Sequence, residues 1–386
     1  MLTALTNARV FDGHQCLEGY AVVLNGSRIH ALLPEKELDT DIERQNLEGG
    51  VLAPGFIDLQ VNGGGGILFN NSPDLDGIRQ MLEGHRNGGT TSMTPTLISD
   101  SLVQQQQGVA AVCQALEEKL PGVLGVHIEG PFFNPDRRGT HKQDYIRPMS
   151  AEDLEWLASI RRHHPDMTLL ITLAPEQTKA GQIQTLADAG IRVCAGHTDA
   201  NHEQIKAALA EGLSGFTHLY NAMRPLTGRD PGVVGAALAD NDSWCGIIAD
   251  GHHVDPTAIQ VALNAKPAGK VFLVTDAMAT VGSNENSFSL YNEVISEQDG
   301  CLVNAEGNLA GSAIGMIDAV RFCVESVGAS LQEALRMASL YPAQYIGKAD
   351  QLGRIRSGYR ADLVHFDDAF RVQHTWVAGS KRRHMN

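Results

Sequence analysis

The 386-residue sequence lacks the features that would point to a secreted or membrane-bound protein. Its six cysteines, at positions 16, 113, 194, 245, 301 and 323, include no C-x-x-C pair, which is typical of reduced thiols in a cytosolic protein. No apolar stretch approaches the roughly 18 residues that span a bilayer, and the first residues, MLTALTNARVFDG, contain no basic segment followed by an apolar one. A cytoplasmic location is therefore expected.

Positive charge is also scarce, because 30 Lys and Arg stand against 45 Asp and Glu and give a formal net charge of -15. This balance argues against nucleic acid or an anionic membrane as the main partner, since both attract basic proteins. Any anionic substrate would have to be bound by a local cluster of positive groups.

Short strand-like runs alternate with amphipathic helical stretches through the middle of the chain. Helices are expected at 151–163, 178–189 and 203–211, and strands at 55–62, 91–97, 123–129, 168–174, 191–197, 215–220, 245–250 and 271–276. Eight strands with intervening helices predict an α/β fold, a TIM-like (β/α)8 barrel with its active site at the carboxyl ends of the strands. The chain is long enough for such a barrel and one small domain.

Both ends of the chain are rich in strand-like runs, and neither could form a core alone. The first end has runs at 8–11, 20–24 and 28–33, with Asn25-Gly26 as a hairpin turn, and the last has runs at 361–366 and 371–377. We expect a small β-sandwich domain built from residues 1–53 and 349–386, with residues 54–348 forming the barrel. Residues 283–312 break the alternation and are expected to form an inserted hairpin and loop.

Three of the predicted barrel strands end in side chains that commonly bind metal ions. These are Glu129 after GVHI, His197 after IRVCAG and His218 after GFT. Each could be an ordinary hydrogen-bonded residue, but one carboxylate and two imidazoles match the ligands of a metal ion that keeps a position for water. Asp276 ends the eighth strand, where a carboxylate could act as general acid and base or cap the next element.

The motifs around these residues resemble those of a known family. PGFIDLQVNG, HIEGPF with GTH, AGHT, THLYNAM with GRDPG, GIIADGHHVD, LVTDAM and LAGS occur in this order along essentially the whole chain. They are similar to the N-acetylglucosamine-6-phosphate deacetylases of the amidohydrolase superfamily, and TGRDPG and DGHHVD are the most specific segments. The resemblance implies an enzyme of amino-sugar catabolism that hydrolyses the acetamide of N-acetyl-D-glucosamine 6-phosphate to D-glucosamine 6-phosphate and acetate.

By this resemblance the metal ligands are Glu129, His197 and His218. The superfamily's usual H-x-H on the first strand is replaced by Gln60 and Asn62, whose amides would hydrogen-bond the metal's water instead of binding a second ion. One divalent ion per subunit is expected. The histidine ligands favour zinc, with iron, cobalt or manganese as alternatives.

The resemblance also implies the catalytic and substrate-binding residues. Asp276 would be the general base and acid, and His141 would donate a hydrogen bond to the oxyanion. Arg229 and His253 would contact the phosphate and lie near the interface of a homodimer. The implied substrate-binding residues are Thr140, His141, Asn221, Ala222, Arg229, Asp250, Gly251, His252, His253, Leu309, Ala310, Gly311 and Ser312.

Other functions stay open at this point. The chain could be an amidohydrolase acting on a different N-acyl sugar phosphate or on a cyclic amide, although the sequence lacks the first-strand H-x-H and a clear strand-end lysine for carbamylation. It could also be a non-catalytic barrel that serves as a scaffold. The polar strand ends count against a scaffold, because buried charges cost stability. A metal-free barrel aldolase or isomerase is least favoured.

Overall fold

The computed structural model describes residues 2–298, 300–304 and 307–384. At its centre eight parallel strands pair in the order of the sequence. The first to eighth barrel strands are Phe56–Val61, Thr90–Leu97, Gly125–Glu129, Thr168–Leu173, Arg192–Ala195, Gly215–Phe216, Trp244–Ile247 and Val271–Leu273. The predicted barrel is confirmed. The sixth and eighth strands are shorter than the expected 215–220 and 271–276, because their pairing with neighbouring strands ends at Phe216 and Leu273.

Helices cover the outer face of the barrel. The α-helices are Leu75–Arg86, Leu102–Glu117, Ala151–His163, Gln182–Asp188, His202–Ala210, Gly232–Ala239, Pro256–Ala265, Met316–Phe322, Leu331–Ala338 and Leu340–Tyr345. The helix expected at 178–189 was wrong at its start, because Gly181 adopts a left-handed conformation (φ 82°) and the α-helix begins after it. None of these helices, within the described residues, has the length and apolar character needed to cross a bilayer.

Two smaller sheets, built from both ends of the chain, pack against each other. One has the strand order Arg28–Pro34, Tyr20–Asn25, Leu2–Thr6, Glu43–Asn46, and the other has the order Ser380–Arg383, Val372–Val377, Leu363–Phe366, Val51–Pro54, Arg9–Phe11, Cys16–Leu17. Leu363–Phe366 pairs antiparallel with Val51–Pro54 and so joins the two ends. Leu5, Leu52 and Trp376 are buried in one core shared by these sheets. The predicted sandwich is therefore confirmed.

The insertion after the eighth strand is a three-stranded antiparallel sheet of Ser287–Leu290, Glu293–Gln298 and Cys301–Val303. The expected hairpin was incomplete, because the third strand is only three residues long and buries a single side chain, Leu302. One inward-facing residue gives no detectable periodicity. The sheet packs on loops at the carboxyl ends of the first, second and eighth barrel strands through a cluster that includes Leu68, Ile98, Met278, Leu290, Ile295 and Leu302.

The barrel closes between its first and eighth strands, where a buried carboxyl group takes part in the seam. The backbone N–H of Asp276 donates to the Gln60 carbonyl (3.0 Å). Below it, Asp58 Oδ1 accepts from the backbone N–H groups of Gln60 and Thr275, both at 3.2 Å, and Oδ2 accepts from the Thr275 hydroxyl. Burial raises the pKa of Asp58 to about 7, and the bonds from Thr275 offset only part of that rise.

This raised pKa makes a prediction about stability. The folded state holds a proton on Asp58 that the unfolded chain has released above pH 4, so the stabilisation is present at low pH and lost as the pH rises through 7. Between pH 5.5 and 8 the wild type should lose about 1 to 2 kcal/mol of unfolding free energy relative to Asp58→Asn, as measured by urea denaturation. Asp188→Asn, at an exposed position, serves as the control and should follow the wild type. If the unfolding free energies of wild type and Asp58→Asn changed in parallel with pH, the raised pKa of Asp58 would be contradicted.

Candidate metal and catalytic site

The residues expected to carry the chemistry meet at the carboxyl rim of the barrel. Glu129 is the last residue of the third strand, His197 and His218 each lie two residues beyond the fifth and sixth strands, and Asp276 lies three residues beyond the eighth. All four are buried, with exposures of 2 to 9%. Parallel strands bring these positions together because their carboxyl ends meet at one rim.

Three of these residues have a backbone conformation that is unfavourable for side chains other than glycine. His197, His218 and Asp276 have φ values of 50°, 34° and 53°. A left-handed conformation costs an ordinary residue about 1 to 2 kcal/mol, and such strain collects at functional sites. The turn aims each side chain into the barrel mouth immediately after its strand ends.

Glu129, His197 and His218, which we call the ligand cluster, have the spacing of metal ligands. Glu129 Oε1 lies 3.1 Å from His218 Nε2 and 3.4 Å from His197 Nε2, and the two imidazole nitrogens are 3.0 Å apart. Ligand atoms about 2.0 to 2.1 Å from a tetrahedral ion lie about 3.3 to 3.4 Å from one another. The donor types and distances therefore fit a divalent metal ion.

The hydrogen bonds and charges of the ligand cluster support the same interpretation. His197 Nδ1 donates to the Arg137 carbonyl (2.8 Å) and leaves Nε2 as the ligand atom. Burial would raise the pKa of Glu129, but the imidazoles of His197 and His218 hold it well below its usual range. Burial lowers the pKa of His197, whereas for His218 the bond and charge of Glu129 outweigh burial and raise it. Imidazoles bind metal ions in their neutral form, so a cation bound here would compete with protons for these nitrogens.

Asp276 is held by the two amides of the first strand. Gln60 Nε2 donates to Asp276 Oδ1 (2.9 Å) and to both oxygens of Glu129 (3.1 and 3.2 Å). Asn62 Nδ2 donates to the same Asp276 Oδ1 (2.6 Å), and Asn62 Oδ1 has no partner among the described residues. Burial and then the charge of Glu129 raise the pKa of Asp276 to about 6.

His141 lies beside the ligand cluster. Its ring centroid is 4.6 Å from that of His197, and a nitrogen of His141 lies within 4.8 Å of the ligand atoms of His197 and Glu129. His141 Nδ1 is 3.2 Å from the Ser99 backbone nitrogen and 2.8 Å from Ser99 Oγ. Burial lowers the pKa of His141 to about 3, so its ring is neutral. His127, in contrast, lies deeper in the barrel and bonds the Leu59 carbonyl and Thr172 Oγ1.

A cavity of about 180 Å³ opens above these groups. Its lining includes the whole ligand cluster, Asp276, Asn62 and seven of the predicted substrate-binding residues, Thr140, His141, Asn221, Ala222, His253, Leu309 and Gly311. His253 Nδ1 is bonded to Asp250 Oδ2 (2.6 Å), an arrangement that leaves its Nε2 for a ligand.

The other predicted substrate-binding residues do not line this cavity. Asp250 reaches the cavity only through its hydrogen bond with His253. Burial would raise the pKa of Asp250, but the bond with His253 lowers it. Ser312 Oγ donates to the Thr275 carbonyl (2.6 Å) and Ala310 is fully buried. Gly251 and His252 are exposed, next to His253. Arg229 is exposed on the loop before Gly232–Ala239 and has no side-chain partner in the described part of the chain.

Sequence reasoning missed several residues at the site. Ile98 and Met278 add an apolar wall to the cavity. Ser99 contacts His141, and the Tyr291 hydroxyl donates to the Ser99 carbonyl. Ser99 and Tyr291 are 192 positions apart, so no local pattern could have connected them.

Comparisons with known proteins agree with the geometry. The model of the amidohydrolase family matches residues 51–381, and that of the NagA composite domain matches residues 2–52. An N-acetylgalactosamine-6-phosphate deacetylase of Shewanella sp. (strain ANA-3) is 41% identical over 89% of this chain and 86% of its own. An N-acetylglucosamine-6-phosphate deacetylase of Haemophilus influenzae is 35% identical over 98% and 99%. The crystal structure of N-acetylglucosamine-6-phosphate deacetylase from Pasteurella multocida covers both chains completely, with 36% identity and a TM-score of 0.95.

Proposed function

The chain belongs to the amidohydrolase family, and from this premise we propose that it hydrolyses N-acetyl-D-glucosamine 6-phosphate to D-glucosamine 6-phosphate and acetate. The observation that carries the proposal is the ligand cluster, with its atoms 3.0 to 3.4 Å apart, beside the buried carboxyl of Asp276 in one cavity. Relatives with this activity extend over nearly the whole chain.

The C4 epimer is the second candidate substrate. The relative from Shewanella, at 41% identity, is named for N-acetylgalactosamine 6-phosphate, which differs from the glucosamine compound only in the orientation of one hydroxyl group. The same cleavage chemistry applies to both sugars, because the acetamide and the phosphate are unchanged. Only the part of the cavity wall that contacts the C4 hydroxyl could distinguish the two sugars.

We propose one divalent ion per subunit, held by Glu129, His197 and His218, with zinc favoured and iron, cobalt or manganese as alternatives. When bound, such an ion activates water and polarises the acetyl carbonyl. A second ion is disfavoured because Gln60 and Asn62 carry amides where imidazole ligands would be needed, and both amides are engaged by carboxylate oxygens.

Asp276 acts as the general base and then the general acid. Gln60 and Asn62 both donate to Asp276 Oδ1, whereas Oδ2 bonds no group within the described ranges. Oδ2 is therefore the atom that takes the proton from the attacking water. Oδ2 then returns the proton to the glucosamine nitrogen as the C–N bond breaks. A pKa raised to about 6 suits a group that must both accept and release a proton near neutral pH.

His141 stabilises the negative charge that develops on the acetyl oxygen. Its neutral ring lines the cavity beside the ligand cluster, and a donor that is buried and already in position stabilises such a charge more than one in bulk water would. Binding of the sugar ring is assigned to Thr140, Asn221, Ala222 and the 309–312 loop.

The phosphate requires positive charge that the cavity of one subunit does not contain. Its described lining includes Glu129 and Asp276 but no lysine or arginine. Of its four imidazoles, only His253 is neither in the ligand cluster nor assigned to the acetyl oxygen. We assign Arg229 to the phosphate of the neighbouring subunit's substrate in a homodimer, with His253 near the same interface. Leu226, 53% exposed on the same loop, gives that surface an apolar contact.

A cytoplasmic role in amino-sugar catabolism belongs to the same proposal. Within the described residues, no disulfide joins any of the six cysteines, as is usual in a reducing compartment. A sugar phosphate carries charge that does not cross an apolar bilayer unaided, so the enzyme and its substrate must share a compartment.

The direct test is release of free amine from N-acetylglucosamine 6-phosphate and from its C4 epimer, with metal content measured on the same sample. We expect about one metal per chain, loss of activity with a chelator and recovery on adding metal back. The ratio of kcat/KM for the two sugars selects the substrate. A metal-loaded protein that deacetylates neither would refute the function.

Asp276→Asn should lower kcat by about 10²- to 10⁴-fold, because general acid and base catalysis is lost. Its metal content should stay normal, since Asp276 lies outside the ligand cluster and an asparagine oxygen can still accept from Gln60 and Asn62. Steady-state kinetics and metal analysis check both parts. Near-normal turnover would exclude the acid/base role.

Arg229→Ala should raise KM for the phosphorylated sugar by about 10-fold or more and leave hydrolysis of unphosphorylated N-acetylglucosamine unchanged. Arg356→Ala, which also removes an exposed arginine, is the matched control and should behave as wild type. Equal effects on both substrates would contradict phosphate binding.

Mixing subunits tests whether Arg229 acts across the interface. In a hybrid of Arg229→Ala with Asp276→Asn, one site keeps its own Asp276 and receives Arg229 from the other subunit. At substrate concentrations well below KM, activity should therefore rise above that of either parent after the two are unfolded and refolded together. No recovery in verified hybrids would place Arg229 in its own subunit's site or outside any site.

A further inference from the structure

His141 is held at Nδ1 by a fully buried residue, Ser99. The backbone N–H of Ser99 donates to Nδ1 (3.2 Å), and Ser99 Oγ lies 2.8 Å from the same atom. A backbone N–H can only donate, so Nδ1 must be the unprotonated nitrogen and the ring proton must be on Nε2. The His141 ring is also packed edge-on against Phe133, with centroids 4.9 Å apart.

Gly130 makes room for this contact. A Cβ atom at that position would lie 2.3 Å from Ser99 Oγ, and its φ of 86° also favours glycine. The glycine of HIEGPF thus permits the approach of Ser99 to His141.

The inserted sheet reaches the same place through Tyr291. The Tyr291 hydroxyl donates to the Ser99 carbonyl. Burial raises the pKa of Tyr291 well above its usual value, and the backbone N–H of Lys142, the residue after His141, offsets only part of that rise. The hydroxyl therefore stays protonated and can donate to the Ser99 carbonyl.

Tyr291 is placed there at a cost in backbone energy. It forms the two-residue hairpin turn between Ser287–Leu290 and Glu293–Gln298 with Asn292, and their φ values are 51° and 68°. Such turns favour glycine, asparagine and aspartate, so a tyrosine in the first position is unusual. The strain is consistent with a functional role for its hydroxyl.

We propose that Tyr291 is a positioning residue of the reaction: its hydroxyl fixes Ser99, and Ser99 in turn holds His141 in the Nε2–H tautomer, aimed at the acetyl oxygen. This inference rests on the proposed function. It gives the inserted sheet a part in catalysis, since the sheet packs over the rim of the first, second and eighth strands and delivers this one hydroxyl.

A double-mutant cycle tests the proposal in the metal-loaded enzyme. Tyr291→Phe should lower kcat by about 10- to 100-fold with KM and metal content little changed. In the background of His141→Gln, the same change should have almost no further effect, because Tyr291 acts only through the ring that is already absent. Equal losses in both backgrounds would overturn the proposal.

Controls separate positioning from general damage. Tyr145→Phe, whose ring centroid is 6.0 Å from that of Tyr291 and whose hydroxyl has no recorded bond in the described residues, should keep wild-type kcat. Should Tyr291→Phe be poorly folded by thermal melting, Tyr291→Asn replaces it in the cycle with the same expectation, because asparagine suits the turn and also lacks the phenol.

A spectroscopic measurement is independent of turnover. Long-range ¹H–¹⁵N correlation on protein labelled at histidine, with His141 assigned by its loss in His141→Gln, should report the Nε2–H form in wild type and a mixture of tautomers in Tyr291→Phe. An unchanged tautomer together with unchanged kcat would refute the role of Tyr291. Absence of deacetylation by the wild type would refute the proposed function and leave the tautomer result as the test of this inference.

Discussion

The buried carboxylate of Glu129 is the charge on which the arrangement of the site depends. With 2% of its surface exposed, it has lost nearly all contact with water, and an uncompensated charge in that position would be costly. Three side chains compensate it, namely Gln60, His197 and His218. Two of these groups then constrain their neighbours, because Gln60 also bonds Asp276 and His197 packs edge-on against His141. The polar network thus grows outward from one strand-end glutamate.

The backbone makes this network possible at the cost of local strain. A parallel strand that continued straight would carry His197, His218 and Asp276 past the barrel mouth, whereas a left-handed residue two or three positions after the strand turns the side chain inward. Three such residues cost about 3 to 6 kcal/mol in total, comparable with the net stability of many proteins. The large apolar core of the barrel and its helices offsets this cost, and the strain remains where it orients reactive groups.

The sequence was sufficient for the fold and for the residues at strand ends, because both follow from local patterns. Alternating strands and helices predicted the barrel, and polar residues directly after apolar runs predicted Glu129, His197, His218 and Asp276. The position of the chain turn at Gly181, the third inserted strand and the contact of Tyr291 with Ser99 depend on tertiary packing, which has no period in the sequence. The assigned roles of these residues, and the domain boundaries at 53/54 and 348/349, stay predictions.

Charge is the physical argument for the proposed homodimer. The chain has a net charge of -15, and its cavity presents Glu129 and Asp276 to an incoming phosphate. One divalent ion would neutralise those two carboxylates and leave nothing for the phosphate dianion except the imidazole of His253, which Asp250 already engages. Additional positive charge must therefore come from outside the cavity. In the proposed homodimer, another subunit would cover the exposed loop of Arg229 and Leu226, so the electrostatic requirement that led us to propose Arg229 is also the reason for proposing the assembly.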